Sequence, residues 1–138
     1  MLHISKLAVG IRDIAHLRRV QAARALVQPP LRHQTRNMPR RRDEIVGLGS
    51  LYWVIAGTLQ VRQPILGIIE DTWDDGSRCA GLLLDPVLVQ VEGRPVKAFQ
   101  GWRYLIHADA PPDLSAEDLA PDAMPVALRN ELRALCLI

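Results

Sequence analysis

Arg40-Arg41-Arg42, with Arg36 four residues upstream and Arg62 further on, form the chain's densest run of guanidinium groups. A guanidinium offers several N–H donors in a fixed plane that matches the oxygens of a phosphate, so the run points to a polyanionic partner. Phe99-Gln100-Gly101-Trp102-Arg103-Tyr104 alternates rings with a cation around a glycine. Trp102, Arg103 and Tyr104 suit a stacking rim for unpaired nucleobases, since every base has a π face. The same side chains would equally hold a loop on the core. His33, Arg36 and Glu44 have the residue types of a base, an anion clamp and an orienting carboxylate, but their spacing fits no known catalytic pattern.

Other chemistry is excluded by what is missing. GxGxxG, GxxxxGK[ST] and GxSxG do not occur, which removes the glycine-rich phosphate loops and the nucleophile elbow. His3, His16, His33 and His107 make no HxxxH-like pair, and Cys79 and Cys136 stand far apart. Neither a metal site nor a cofactor is expected, and the cysteines read as reduced thiols in a cytoplasmic protein. A binding module is therefore expected ahead of an enzyme.

The net charge of +2 conceals a division. Residues 1–42 carry nine arginines and Lys6 against Asp13 alone, for +9, while residues 43–138 hold seven basic groups against fourteen acids, for −7. Segregated charge of this kind speaks about partners rather than fold. Arginine outnumbers lysine fifteen to two. That suits bidentate phosphate contacts, although genomic base composition produces the same bias.

These groups need elements to position them. With 138 residues, 49% hydrophobic and 23% charged, the chain reads as a single globular domain over 1–138. No apolar run approaches the ~20 residues that span a bilayer, and the N-terminus lacks a signal-peptide cleavage site. The centre is Gly47–Asp71, GLGSLYWVIAGTLQVRQPILGIIED, the longest apolar run. Its period of two predicts strands at about 51–56 and 59–70, with one face buried and the other mixed, broken by a tight hairpin or bulge at Gly57. Beyond Pro64 the pattern turns wholly apolar, as for a strand covered on both faces.

Earlier, Leu2–Ile11 reads as a strand whose phase changes around Ser5-Lys6, through a bulge or burial on both sides. Asp13 caps a helix over 14–27, with Ile14, Leu17, Val20, Ala25 and Leu26 as its apolar stripe, and Pro29-Pro30 ends it. A short extended segment over 31–35 and one helical turn over 43–46 follow. Later, Asp74–Ser77 reads as a hairpin turn into 79–84, and Gly93-Arg94-Pro95 as a turn between strands 87–91 and 96–99. Strand 102–106 is next. The acidic, proline-rich 107–125 carries one short helix, and a last helix covers about 125–136.

The chain resembles the alphaproteobacterial family catalogued as domain of unknown function 1489. The resemblance rests on His33-Gln34-Thr35-Arg36, Pro39-Arg40-Arg41, Glu44, Gly49 to Ile55 (GSLYWVI), Arg62-Gln63 with Ile65, Asp85-Pro86, and Phe99 to Leu105 (FQGWRYL), and it covers nearly the whole length. This chain has Ala56 where the family often has a lysine. The resemblance implies no activity. A looser analogy is to small RNA-binding domains of the PUA and ASCH type, which also join a helix, a basic segment and a curved sheet.

The expected fold is α+β: a curved, mainly antiparallel, partly open barrel-like sheet packed with an N-terminal and a C-terminal helix. The expected function is RNA binding without catalysis. Arg36, Arg40, Arg41, Arg42 and Arg62 would contact phosphate, and Trp102, Arg103 and Tyr104 would stack on bases. The alternatives are an enzyme of nucleotides or phosphorylated metabolites using His33, Arg36 and Glu44, and a homodimeric interaction subunit.

Overall fold

The computed structural model describes residues 1–114, so the helices expected after Leu114, and Cys136, lie outside the described residues. Those residues form a mixed, largely antiparallel open sheet with few helices. In chain order they are β1 (Leu2–Leu7), α1 (Ile14–Val27), β2 (Arg32–Thr35), α2 (Arg42–Ile45), β3 (Ser50–Ile55), β4 (Thr58–Thr72), β5 (Arg78–Leu84), β6 (Val89–Pro95), β7 (Trp102–Ile106) and a 3-10 turn, His107–Asp109. The strand order is β2-β5-β4-β3-β1-β7, with β6 also on β4. Only the β1–β3 pair is parallel among the described strands. No helix of the described residues is long and apolar enough to cross a membrane.

β3 and β4 form the expected centre, and every residue of β3 is buried. Leu51, Trp53 and Ile55 join Ile4, Leu17, Ile45, Val61, Ile65 and Leu82 in the main cluster. Tyr52 and Val54 belong to a second cluster with Leu59 and Val91 on the opposite face. The expected mixed face is thus covered instead, because Val91, Val96, Phe99, Leu105 and Ala110 pack behind it. After Pro64 the correction runs the other way. Leu66 is 59% and Ile69 39% exposed. β6 pairs with β4 only as far as Arg62, and a register shift between Ile65 and Gly67 re-aims the side chains beyond it. Pro64 itself sits where β4 exchanges β6 for β5, and its carbonyl accepts from Asp85.

β1 ends at Leu7 rather than at Ile11, since Gly10 (φ 78°) turns the chain toward Asp13. Its pairing with both neighbours is regular, so no bulge lies at Ser5-Lys6. The apparent phase change arises because Lys6 itself occupies the inward series of Leu2, Ile4 and Ala8.

α1 starts at Asp13, whose side chain accepts from His16 N at 2.7 Å. Leu17 and Gln21 are its buried residues. Leu26 is 86% exposed, so the outer end of the expected stripe packs on nothing among the described residues. Gly93-Arg94-Pro95, expected as a turn, lies inside β6, where Arg94 pairs with Leu59 and Pro95 with Thr58. A register shift between Leu59 and Val61 absorbs the irregularity, and proline is tolerated on a strand that pairs along one edge, as β6 does with β4. Residues 96–99, expected as a strand, are irregular and tied by Val96 N to Gly57 O.

The β3–β4 hairpin closes through Ala56 (φ 51°) and Gly57 (φ 81°), both left-handed, as a two-residue turn of the twisted-hairpin kind requires. Alanine pays a steric penalty there that asparagine and glycine largely avoid. Ala56→Asn is expected to raise the unfolding free energy by about 0.5–1 kcal/mol. Urea denaturation measures this, and a variant no more stable than the parent would show the turn to be unstrained.

Candidate nucleic-acid interface

Residues 36–42 leave β2 at one end of the strand order and dock on β7 at the other. Trp102 Nε1 donates to Asn37 O at 3.2 Å, and Arg41 N donates to Tyr104 Oη at 3.1 Å. The Arg41 guanidinium lies 5.6 Å from the centre of the Tyr104 ring, and Tyr104 meets Trp102 edge to face at 4.9 Å. Asn37 stands two residues past β2, so the open sheet curves until its end strands approach one another.

Arg36, Arg40, Arg41 and Arg42 are all exposed. Among the described residues, Arg36, Arg40 and Arg42 have no carboxylate partner. Arg41 forms a two-pronged pair with Glu44, at 2.6 and 2.8 Å, which holds that carboxyl below the usual carboxylate range. Being exposed, this pair orients the arginine more than it stabilises the fold.

The remaining candidates lie elsewhere. Arg62 is bound by Asp113 at 2.7 and 2.8 Å and donates to Ser50 Oγ at 3.0 Å. The acidic segment thus reaches one arginine of the expected group, because residues 112–114 run beside β6. Arg103 points to the other face of β7 from Trp102 and Tyr104, with its guanidinium 4.6 Å from the centre of Phe99. His33, Arg36 and Glu44 also separate. His33 lines a cavity beneath α1, Arg36 borders a depression with Glu70, Asp71 and Arg78, and Glu44 is engaged by Arg41.

Two polar clusters were not singled out from the sequence. His3, only 3% exposed, accepts Ser50 N at Nδ1 (2.9 Å), so its neutral ring carries the proton on Nε2, 2.9 Å from His107 Nδ1. Burial first, then His107 and Arg62, bring His3 down to about 4. The second cluster is Gln63, fully buried between Gln21, Trp53 and Asp85. A glutamine on the apolar series of a strand signals such a network, but its partners are distant in sequence.

The geometry defines a small, sheet-dominated protein whose arginine-bearing loop is seated on aromatic side chains of an end strand. The chain belongs to the family described as "Protein of unknown function (DUF1489)", whose model matches residues 4–138. No curated protein and no solved structure matches it.

Proposed function

We propose that this protein is a non-catalytic RNA-binding module whose binding face is the 36–42 loop together with β7. The supporting observation is the seat of Arg41 on Tyr104 beside Trp102, with Arg36, Arg40 and Arg42 exposed and free of carboxylates among the described residues. Cations flanking half-buried rings match the two needs of an unpaired strand, phosphate neutralisation and base stacking. Arg62 contributes less than its position in the sequence promised, since Asp113 already occupies it. The finer likeness to PUA and ASCH domains agrees with this reading and is likewise proposed; it assigns no residue a role.

Binding of a labelled single-stranded RNA by fluorescence anisotropy tests it. The affinity is expected to fall steeply with salt, with a log–log slope of about −0.7 per phosphate neutralised. The Arg40→Ala/Arg41→Ala/Arg42→Ala variant should bind at least about tenfold more weakly and show a shallower slope. A triple variant that binds as tightly as the parent, at every salt concentration, would refute the proposal.

A further inference from the structure

Lys6 is a cation placed where the core expects an apolar side chain. Its register partners are Trp53 of β3 and Trp102 of β7, and paired residues share a face of the sheet. The lysine therefore stands between two indoles on the face of the main core. Leu2, Ile4 and Ala8, the other members of its series, are buried and apolar. Among the described residues no carboxylate pairs with Lys6. A half-buried ammonium without a counter-ion is unfavourable, and residues that break the local pattern concentrate at functional sites.

Lys6 borders a cavity of about 200 Å³ between α1 and the sheet. The walls include Leu17 and Val20 of α1, Leu31 and the Trp53 ring, and no acidic residue among the described residues lines it. Of its polar groups, Gln21 is committed to Gln63 and Arg32 to Asp71. Lys6, Arg24 and His33 remain. His33 Nε2 is buried without a hydrogen-bond partner among the described residues, an arrangement that folded proteins avoid unless a further group or water completes it. Burial, with Lys6 and Arg24 nearby, pushes the His33 pKa down to about 4, and burial also lowers that of Lys6. The Lys6 shift reflects burial alone, while that of His33 reflects burial first and then the neighbouring positive charges of Lys6 and Arg24. A second hollow, about 380 Å³, shares Arg24, Leu31, Arg32 and His33 with the first and extends past Gln28, Gln34 and Trp73. It lies beside the inner chamber across those shared residues.

We propose that this cavity binds a small organic monoanion, its carboxylate held by Lys6 and His33 and its compact apolar body set against Leu17, Val20 and Trp53. A cavity of about 150 Å³ takes benzene, so the chamber admits one ring bearing a carboxylate. A single negative charge is favoured over two, because each charge brought in must shed its water. The site uses none of the arginines of the RNA-binding face, and the two proposals stand or fall separately.

Calorimetric titration of the full chain with sodium benzoate tests the inference, with toluene and inorganic phosphate run in parallel. Benzoate is expected to saturate one site with a Kd of about 1 mM or tighter and to shift the Trp53 indole N–H resonance. Toluene and phosphate should each bind at least about tenfold more weakly, and Lys6→Met should weaken benzoate by a similar factor. Val20→Trp, which fills the chamber from α1, should abolish benzoate binding while RNA affinity is retained, and it serves if Lys6→Met fails to fold. Absence of saturable benzoate binding, equal binding of toluene or phosphate, or benzoate affinity unchanged in a folded variant would each overturn the assignment.

Discussion

Replacing Gln63 by leucine is expected to lower the unfolding free energy by about 3–5 kcal/mol, a large share of what a domain of this size possesses. Gln63 is fully buried, and both ends of its amide are engaged. Oε1 accepts from Gln21 Nε2 and Trp53 Nε1, each at 2.8 Å. Nε2 donates to Gln21 Oε1 at 2.7 Å and to Asp85 O at 3.0 Å. The amide cannot be turned over, because an indole N–H only donates and a carbonyl only accepts. Leucine fills much the same volume but strands the Gln21 amide, the Trp53 N–H and the Asp85 carbonyl. Each stranded group costs about 1–3 kcal/mol. Adding Gln21→Leu removes one of them, so the double variant should lose less than the two single losses combined. Urea denaturation of the four proteins measures this. A Gln63→Leu protein within about 1 kcal/mol of the parent would mean that the network contributes no net stability.

Acid is expected to weaken the fold between pH 6.5 and 4. His3 and His33 each have a pKa of about 4 in the folded chain against 6.5 ordinarily. In that window the unfolded chain binds more protons, so stability is complete above pH 6.5 and falls as the pH drops toward 4. His33 accounts for about 3 kcal/mol of the loss, and His3 acts in the same direction. Protonating His3 also breaks its bond from the Ser50 N–H. The carboxyls of Asp71 and Asp113, lowered by their arginine partners, act further down, below their ordinary value of 3.8. Unfolding free energies at a series of pH values provide the check, and His33→Phe should flatten the slope by about one proton. A parent whose stability is level from pH 7 to 4.5 would contradict the burial of both rings.

Much of the scaffold was legible because local chemistry marks it. Asp13 and the Pro29-Pro30 pair bracket α1, Gly57 marks the central hairpin, and Asp74–Ser77 the next one. What escaped depended on which layer lies behind a strand. The period of two in β3 is the same whether its even face meets water or β6, so the second cluster could not be read from it. Leu66 and Ile69 misled for the opposite reason, since an apolar run does not reveal where its cover stops. At the interface, Arg41, Trp102 and Tyr104 were legible by type, and the structure joins them. Arg62 and Arg103 belong to other surroundings, because alternation along β7 and the approach of Asp113 are tertiary facts. Lys6 was visible only as an irregularity in β1. The cavity beside it is formed by α1 and β3 together, which no local pattern in β1 reveals.

The place of β1 between β3 and β7 also orders events in time. The first strand to be synthesised acquires its parallel neighbour some fifty residues later and its antiparallel one only when Trp102–Ile106 has left the ribosome. The contiguous β3–β4–β5 meander precedes β7 in the chain, so until β7 has been made β1 can be paired along one edge only, and its other edge stays open.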